Sequence, residues 1–341
     1  MTATASSQSA GWMVSPRSDQ LVTWSWVPFA VLGAVVNTPQ LVLVVVSVVL
    51  GFSFSHQVLT LPLVYGDGCT FRSRRVVFSA APVVLFVGVA VLRVEAFVAL
   101  AVLAAAWNAF HTVRQRYGMV RIYGRRVGQD SPGVEQWWLF AGFVTAVVLA
   151  ASTTSLEATL ADGTLDLGRA GTNTQLVRML GDLRPVARWA AVPMVLLTVA
   201  LGVRWWREER NRPMNPAKHW YVGSTMLMFA VAPLTPLGAL LGFVGSHAVE
   251  YYVVVVRSLR SRTTTMPSSS LARLTMWRGA WLPVVAFALT MVALVYGAML
   301  GPMRDLGSVV AFTLGAMHFL FDGIIWRSGR PAYVASSFTN S

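Results

Sequence analysis

Long apolar runs alternate with short polar connections along nearly the whole chain. The apolar stretches fall at roughly 21–36, 40–63, 76–92, 95–113, 134–153, 186–206, 219–235, 238–257, 280–300 and 307–326. Several reach the ~20 residues an α-helix needs to cross the hydrocarbon of a bilayer. The shortest are the first and the pair around Pro233 and Pro236. The pattern predicts an all-α protein, a polytopic integral membrane helix bundle of about ten transmembrane helices.

The connections set its orientation. Basic residues concentrate after the second, fourth, sixth, eighth and tenth segments, for instance Arg72, Arg74 and Arg75, then Arg114, Arg116, Arg121, Arg125 and Arg126. With Arg17, that side holds 21 of the 27 Lys and Arg residues; the alternate connections hold only Arg93, Arg169, Arg178, Arg184, Arg188 and Arg304. By the positive-inside rule both termini are cytoplasmic and the protein is a multi-pass protein of the cell membrane. Residues 1–20, rich in Ser and Ala, read as a disordered cytoplasmic tail without a signal-peptide pattern. Residues 21–326 then form a single transmembrane helical domain, followed by a cytoplasmic tail over 327–341. The longest extracytoplasmic connection is about 154–185, in which Gln175-Leu-Val-Arg-Met-Leu predicts a short interfacial helix.

Composition narrows the chemistry. The chain is 55% hydrophobic and 12% charged, with 13 Trp and 17 Phe that suit aromatic belts at two interfaces. The single Cys69 excludes an internal disulfide and any multi-cysteine metal site. A net charge of +13 would suit a nucleic-acid partner, but the arginines are spread between apolar segments and topology accounts for them. There is no Gly-rich phosphate loop, HExxH run or nucleophile elbow. No internal repeat supports an inverted-repeat transporter.

What stands out against this background is imidazole. His56, His111, His247 and His318 each lie in an apolar segment, late in helices that all run from outside to inside. His318 is nine residues before Arg327 and His247 ten before Arg257, about 13–15 Å of helix from the basic edge. His111, three residues before Arg114, reaches the same depth only if its helix continues through Tyr117. Carboxylates and amides accompany them at helical spacing: Asp322 at i+4 from His318, Glu250 and Tyr251 at i+3 and i+4 from His247, Asn108 and Gln115 around His111. An ionisable group inside a membrane costs several kcal/mol unless partnered, so such groups usually mark function. One histidine alone is commonly an interhelical hydrogen-bonding group; four at one depth, with carboxylates attached, predict a shared metal site. Imidazole and carboxylate ligands suit iron, zinc, copper or manganese, with iron preferred. His219, beside Lys218, Trp220 and Tyr221 at a helix entrance, reads as an interfacial anchor outside that site.

The runs Ser55-His56-Gln57, His111-x-x-Arg114-Gln115-x-Tyr117-Gly118, His247-x-x-Glu250-Tyr251 and His318-Phe-x-x-Asp322-x-x-Ile325-Trp326 resemble a family of uncharacterised bacterial polytopic membrane proteins. More remotely, four dispersed membrane histidines resemble the Brp/Blh-type β-carotene dioxygenases, for which the resemblance implies a histidine-held non-haem iron. Tyr251 occupies i+4 after His247, where a second histidine of that class would stand. The expectation is therefore an iron-dependent membrane oxidase, hydroxylase or oxygenase. His56, His111, His247 and His318 would be ligands and Asp322, Glu250 and Tyr251 catalytic groups. The substrate would be apolar or a small molecule reached from the lipid bilayer. Two alternatives use the same residues: a metal-free acid–base enzyme, for example one forming an N–N bond, and a proton-coupled transporter.

Overall fold

The computed structural model describes residues 11–154, 172–265 and 281–326. Residues 1–10 of the expected N-terminal tail (1–20), the expected C-terminal tail 327–341 and residues 155–171 of the expected connection 154–185 lie outside the described residues. Every regular element among the described residues is helical. In chain order they are α1 (Pro16–Thr23), α2 (Trp26–Val35), α3 (Pro39–Gln57), α4 (Thr60–Tyr65), α5 (Gly68–Ser73), α6 (Arg75–Glu95) and α7 (Phe97–Arg125). There follow α8 (Glu135–Ala151), α9 (Thr172–Glu209), α10 (Pro216–Val231), α11 (Pro236–Thr265), α12 (Trp281–Leu300) and α13 (Arg304–Ile325).

Among the described residues, seven spans are long and apolar enough to cross a membrane: α3 with α4, then α6, α7, α9, α11, α12 and α13. Their burial separates them physically. The apolar window of α11 is 83% buried, whereas those of α6 and α9 are 11% and 6% buried. Val83, Val84 and Val87 of α6, and Val192, Leu196 and Val199 of α9, point outward. Apolar faces that large are stable against lipid and a liability against water. Of the three remaining apolar stretches, 134–153 is the 17-residue α8, 219–235 is the 16-residue α10, and 21–36 divides between α1 and the 10-residue α2.

Two differences from expectation are informative. The Gln175 run is not a separate interfacial helix; it forms the opening turns of α9, which continues for 38 residues through Pro185 and Pro193. A membrane helix tolerates an internal proline where neighbouring groups satisfy the freed backbone. Second, α3 breaks at Val58–Leu59. The cause is Pro62, which has no N–H to offer the carbonyl of Val58 four residues back. Leu61 N–H bonds that carbonyl instead, at 3.1 Å, and Leu59 N–H bonds His56 O at 3.1 Å, so the chain tightens by two i→i−3 steps before α4 resumes.

The chain falls into two compact units. The first comprises residues up to Leu50 and Phe110–His247. In it α2 crosses the start of α11 at almost backbone distance. A Cβ on Gly33 would lie 2.7 Å from Gly238 Cα, and one on Gly238 would lie 2.6 Å from Ala30 O. Small residues permit such approaches between helices that share a membrane. Trp26 Nε1 donates to Ser224 Oγ at 2.7 Å, and Ser224 Oγ donates to Thr23 O at 2.9 Å, fixing this corner to α10. Residues 11–20, expected to be loose, include α1, whose buried Asp19 accepts from the backbone N–H groups of Met13 and Val14. Burial pushes the Asp19 carboxyl up, while those N–H groups, that of Ser15 and the Arg126 guanidinium act to hold it down.

At the starts of α8 and α10 and the end of α9 lies a knot of buried charge. Lys218 Nζ donates to Gln129 Oε1 at 2.7 Å, Glu135 Oε1 at 2.6 Å and Glu209 Oε2 at 2.6 Å. Arg116, one of the basic residues that follow the fourth apolar segment, is buried, donating to Thr225 Oγ1 at 3.1 Å and Ser246 Oγ at 2.5 Å and lying over the Tyr221 ring. Arg121 likewise folds onto the carbonyls of Gln129, Asp130 and Ser131 and shapes the α7–α8 turn.

The second unit comprises Gly51–Ala109 and the chain from Ala248 onward. Its main apolar cluster includes Phe54, Leu63, Phe78, Tyr251, Val255, Ala288 and Phe321, and a smaller one joins Val89, Phe97, Leu100 and Val309. Phe78 and Phe321 meet edge to face at 5.0 Å and lock α6 to α13. At the far end of the same two helices, Arg93 donates to Asp305 Oδ1 and to Ser308 Oγ, both at 2.8 Å.

Candidate functional site

The second unit gathers one histidine from the last turn of α3, another from α13, and polar side chains from α4 and α11. The ring centroids of His56 and His318 lie 4.8 Å apart, with the planes 81° apart. Tyr251 completes a triangle, its ring 5.1 Å from that of His56 and 5.0 Å from that of His318. All three side chains are buried, as are Thr60 and Asp322.

Thr60 ties the group together. Its Oγ1 lies 2.8 Å from His318 Nδ1, 3.0 Å from Tyr251 Oη and 3.2 Å from Asp322 Oδ1. Tyr251 Oη donates to the same Asp322 oxygen at 2.8 Å. His318 Nδ1 is 3.7 Å from that oxygen, too far for a direct hydrogen bond, so the threonine hydroxyl bridges them. With Asp322 ionised, it accepts from both Tyr251 and Thr60, and Thr60, having given its only proton, accepts from Nδ1–H of His318. In that protonation state the lone pair of His318 falls on Nε2, the state a metal-binding imidazole requires, with its other nitrogen held through a hydroxyl by a carboxylate.

The break at Pro62 puts Thr60 in this position, because residue 60 begins a new helix rather than continuing α3. Tyr252, the neighbour of Tyr251, is held by Ser55 at 2.7 Å, which orients this turn of α11 against the last turn of α3.

In the first unit α7 runs on through Tyr117 to Arg125, as the depth of His111 required. His111 faces His247 of α11, with ring centroids 5.1 Å apart and planes at 83°. Gln115, one turn after His111, donates to the carbonyl oxygen of His247 at 3.1 Å, joining the two helices at this level. Glu250 is buried on α11, at the spacing that shares a face with His247.

Within the first unit His111, partly buried, lies against the buried His247, and within the second the buried His56 lies against His318, with Asp322 and Tyr251 joined to the latter pair. His219 stands where its helix-entrance position suggested, against the Trp205 ring at 5.6 Å and Glu209 Oε1 at 3.3 Å. Sequence reasoning missed Thr60. The available signal was a hydroxyl two residues before a proline inside an apolar run, a place where a membrane helix must break. Two imidazoles, one of them held by a carboxylate through a hydroxyl, suit a first-row transition metal.

These features define a helical protein with membrane-length apolar helices and histidine clusters suited to metal. Comparison with family models, curated proteins and solved structures returns no match, so the chemistry of the site rests on its own residues.

Proposed function

We propose that this chain is an integral-membrane, histidine-ligated metalloenzyme, an iron-dependent oxidase, hydroxylase or oxygenase acting on an apolar or membrane-accessible substrate. The observation that carries the reading is the buried His56–His318 pair with Asp322 joined to it through Thr60 and Tyr251. His56 and His318 would bind the metal in the second unit, and His111 and His247 supply a second imidazole pair in the first. When bound, iron would supply dioxygen activation. The chain itself does the rest. Asp322 holds the Nδ1 proton of His318 through Thr60, Tyr251 donates a proton toward Asp322, and Glu250 adds a buried carboxylate beside His247. The enclosing apolar cluster of α4, α6, α11 and α13 excludes water. The same proposal places ten helices in the cell membrane with both termini in the cytoplasm, supported by the 21-to-6 division of basic residues.

Metal analysis of the protein purified in mild detergent tests this. The wild type should carry iron near a fixed ratio to protein, and that ratio tells one shared ion from one in each pair. His56→Ala and His318→Ala should lose it, while His219→Ala keeps it. Metal at background in folded wild-type protein would overturn the reading. A second reading has its own support in the Thr60–His318–Asp322–Tyr251 hydrogen bonds, which form a proton relay without any metal. It predicts product formation that survives chelation and fails in Asp322→Asn.

A further inference from the structure

Outside the histidine clusters, the first unit carries a surface groove on the flank of α9. A groove of about 460 Å³ runs between α8, α9 and α10, with Trp138, Val199, Val203 and Met226 forming its apolar walls. Gly202 forms its floor: a Cβ there would come within 3.0 Å of the Trp138 indole, so the ring lies directly on the α9 backbone. The groove ends at Arg207 and Arg210, three residues apart on one face at the end of α9.

The charges at that end distinguish this groove from an ordinary apolar surface. The acids nearby are committed elsewhere. Glu208 pairs with Arg204 at 2.9 Å and Arg212 at 4.0 Å, and Glu209 is buried against Lys218. Arg207 and Arg210 are exposed and form no ion pair among the described residues. Val199 to Arg210 spans about 16 Å along the helix, apolar at one end and cationic at the other. Trp206, more than half exposed, stands beside the arginines where an interfacial aromatic belongs.

We propose that this groove holds an anionic phospholipid of the bilayer, one acyl chain lying against Val199, Val203 and Trp138 and the headgroup phosphate between Arg207 and Arg210. A long apolar trough closed by two guanidinium groups matches that amphiphile in shape and charge. The inference stands apart from the metal reading, because the groove shares no residue with the histidine clusters.

The test uses full-length protein in detergent, stripped of lipid and offered phosphatidylglycerol, phosphatidylcholine or inorganic phosphate. Bound lipid is counted by native mass spectrometry. Phosphatidylglycerol should be retained at least about tenfold better than phosphatidylcholine, with no adduct from phosphate alone. Arg207→Gln with Arg210→Gln should abolish that preference, and Val203→Trp should lower retention of both lipids by filling the trough. Arg114→Gln, an exposed arginine on α7, should change neither. Equal retention of the two lipids by the wild type, or an undiminished preference in the double arginine variant, would overturn the proposal.

Discussion

Lys218 offers a perturbation whose size can be worked from the structure. The ammonium is buried and its three protons are spent on Gln129, Glu135 and Glu209 at 2.6–2.7 Å. Those acceptors come from three places in the chain: the α7–α8 turn, the first turn of α8 and the last residue of α9. Lys218→Met keeps the aliphatic stem and removes only the charge. Glu135 is then left with Arg212 at 3.3 Å, and Glu209 with Gln129 at 3.0 Å and His219 at 3.3 Å. None of these replaces a buried ammonium. Breaking a buried ion pair by removing one partner costs about 3–5 kcal/mol, because a charge remains without compensation. That corresponds to a melting temperature lower by roughly 10 °C. Thermal unfolding in detergent followed by intrinsic tryptophan fluorescence reads this, since Trp138 and Trp205 stack at 4.9 Å close to the knot. The informative control is Lys218→Met combined with Glu135→Gln and Glu209→Gln. Removing the whole charged network should recover most of the loss. A single variant that melts with the wild type, or a triple variant no better than the single, would refute the argument that uncompensated charge is what destabilises.

Asp322→Asn keeps the shape of the side chain and removes its negative charge. The variant should insert and accumulate normally yet lose metal affinity or turnover by at least about tenfold, measured on the same preparations. Thr60→Val is nearly isosteric but cannot bridge Nδ1 of His318 to Asp322. It should weaken metal binding by about 10–100-fold with little change in expression, and Thr60→Ser should restore it. Reporter fusions after Gly128 and after Gly168 should give opposite signals, inside and outside respectively, and matching signals would remove the ten-helix topology.

The spans were legible because each is a continuous apolar run closed by charge. The stretch 76–92 became Arg75–Glu95, and 307–326 became Arg304–Ile325. The continuity of α9 was not legible. Helical turns are expected over the Gln175 run, but the polar Asn173, Arg178 and Asp182, followed by Pro185, separate it from the apolar span, and a breaker residue cannot by itself distinguish a kink from a stop. At the site, helical spacing correctly put Asp322 on the face of His318, since that relation is internal to one helix. Which helix lies opposite is set by packing, so the pairing of His56 with His318 and of His111 with His247 could not be read from spacing. For Thr60 the proline two residues on could signal a break, but not that the break turns one hydroxyl toward three partners. The buried role of Lys218 was not legible either, because its acids, Glu135 and Glu209, lie 83 and 9 residues away.

The glycine crossing of α2 over α11 has a consequence for how this gene can vary. At Gly33 and Gly238 the seam is made of absent atoms, and every missense change there adds at least a β-carbon, which would sit 2.6–2.7 Å from the opposing backbone. Neither chain can yield by turning a side chain, because the obstacle is main chain on both sides. Any replacement must instead lift α2 off its track and draw Trp26 away from Ser224. Random mutagenesis should therefore find these two codons far less permissive than the outward-facing valines of α6, where one apolar residue can stand in for another.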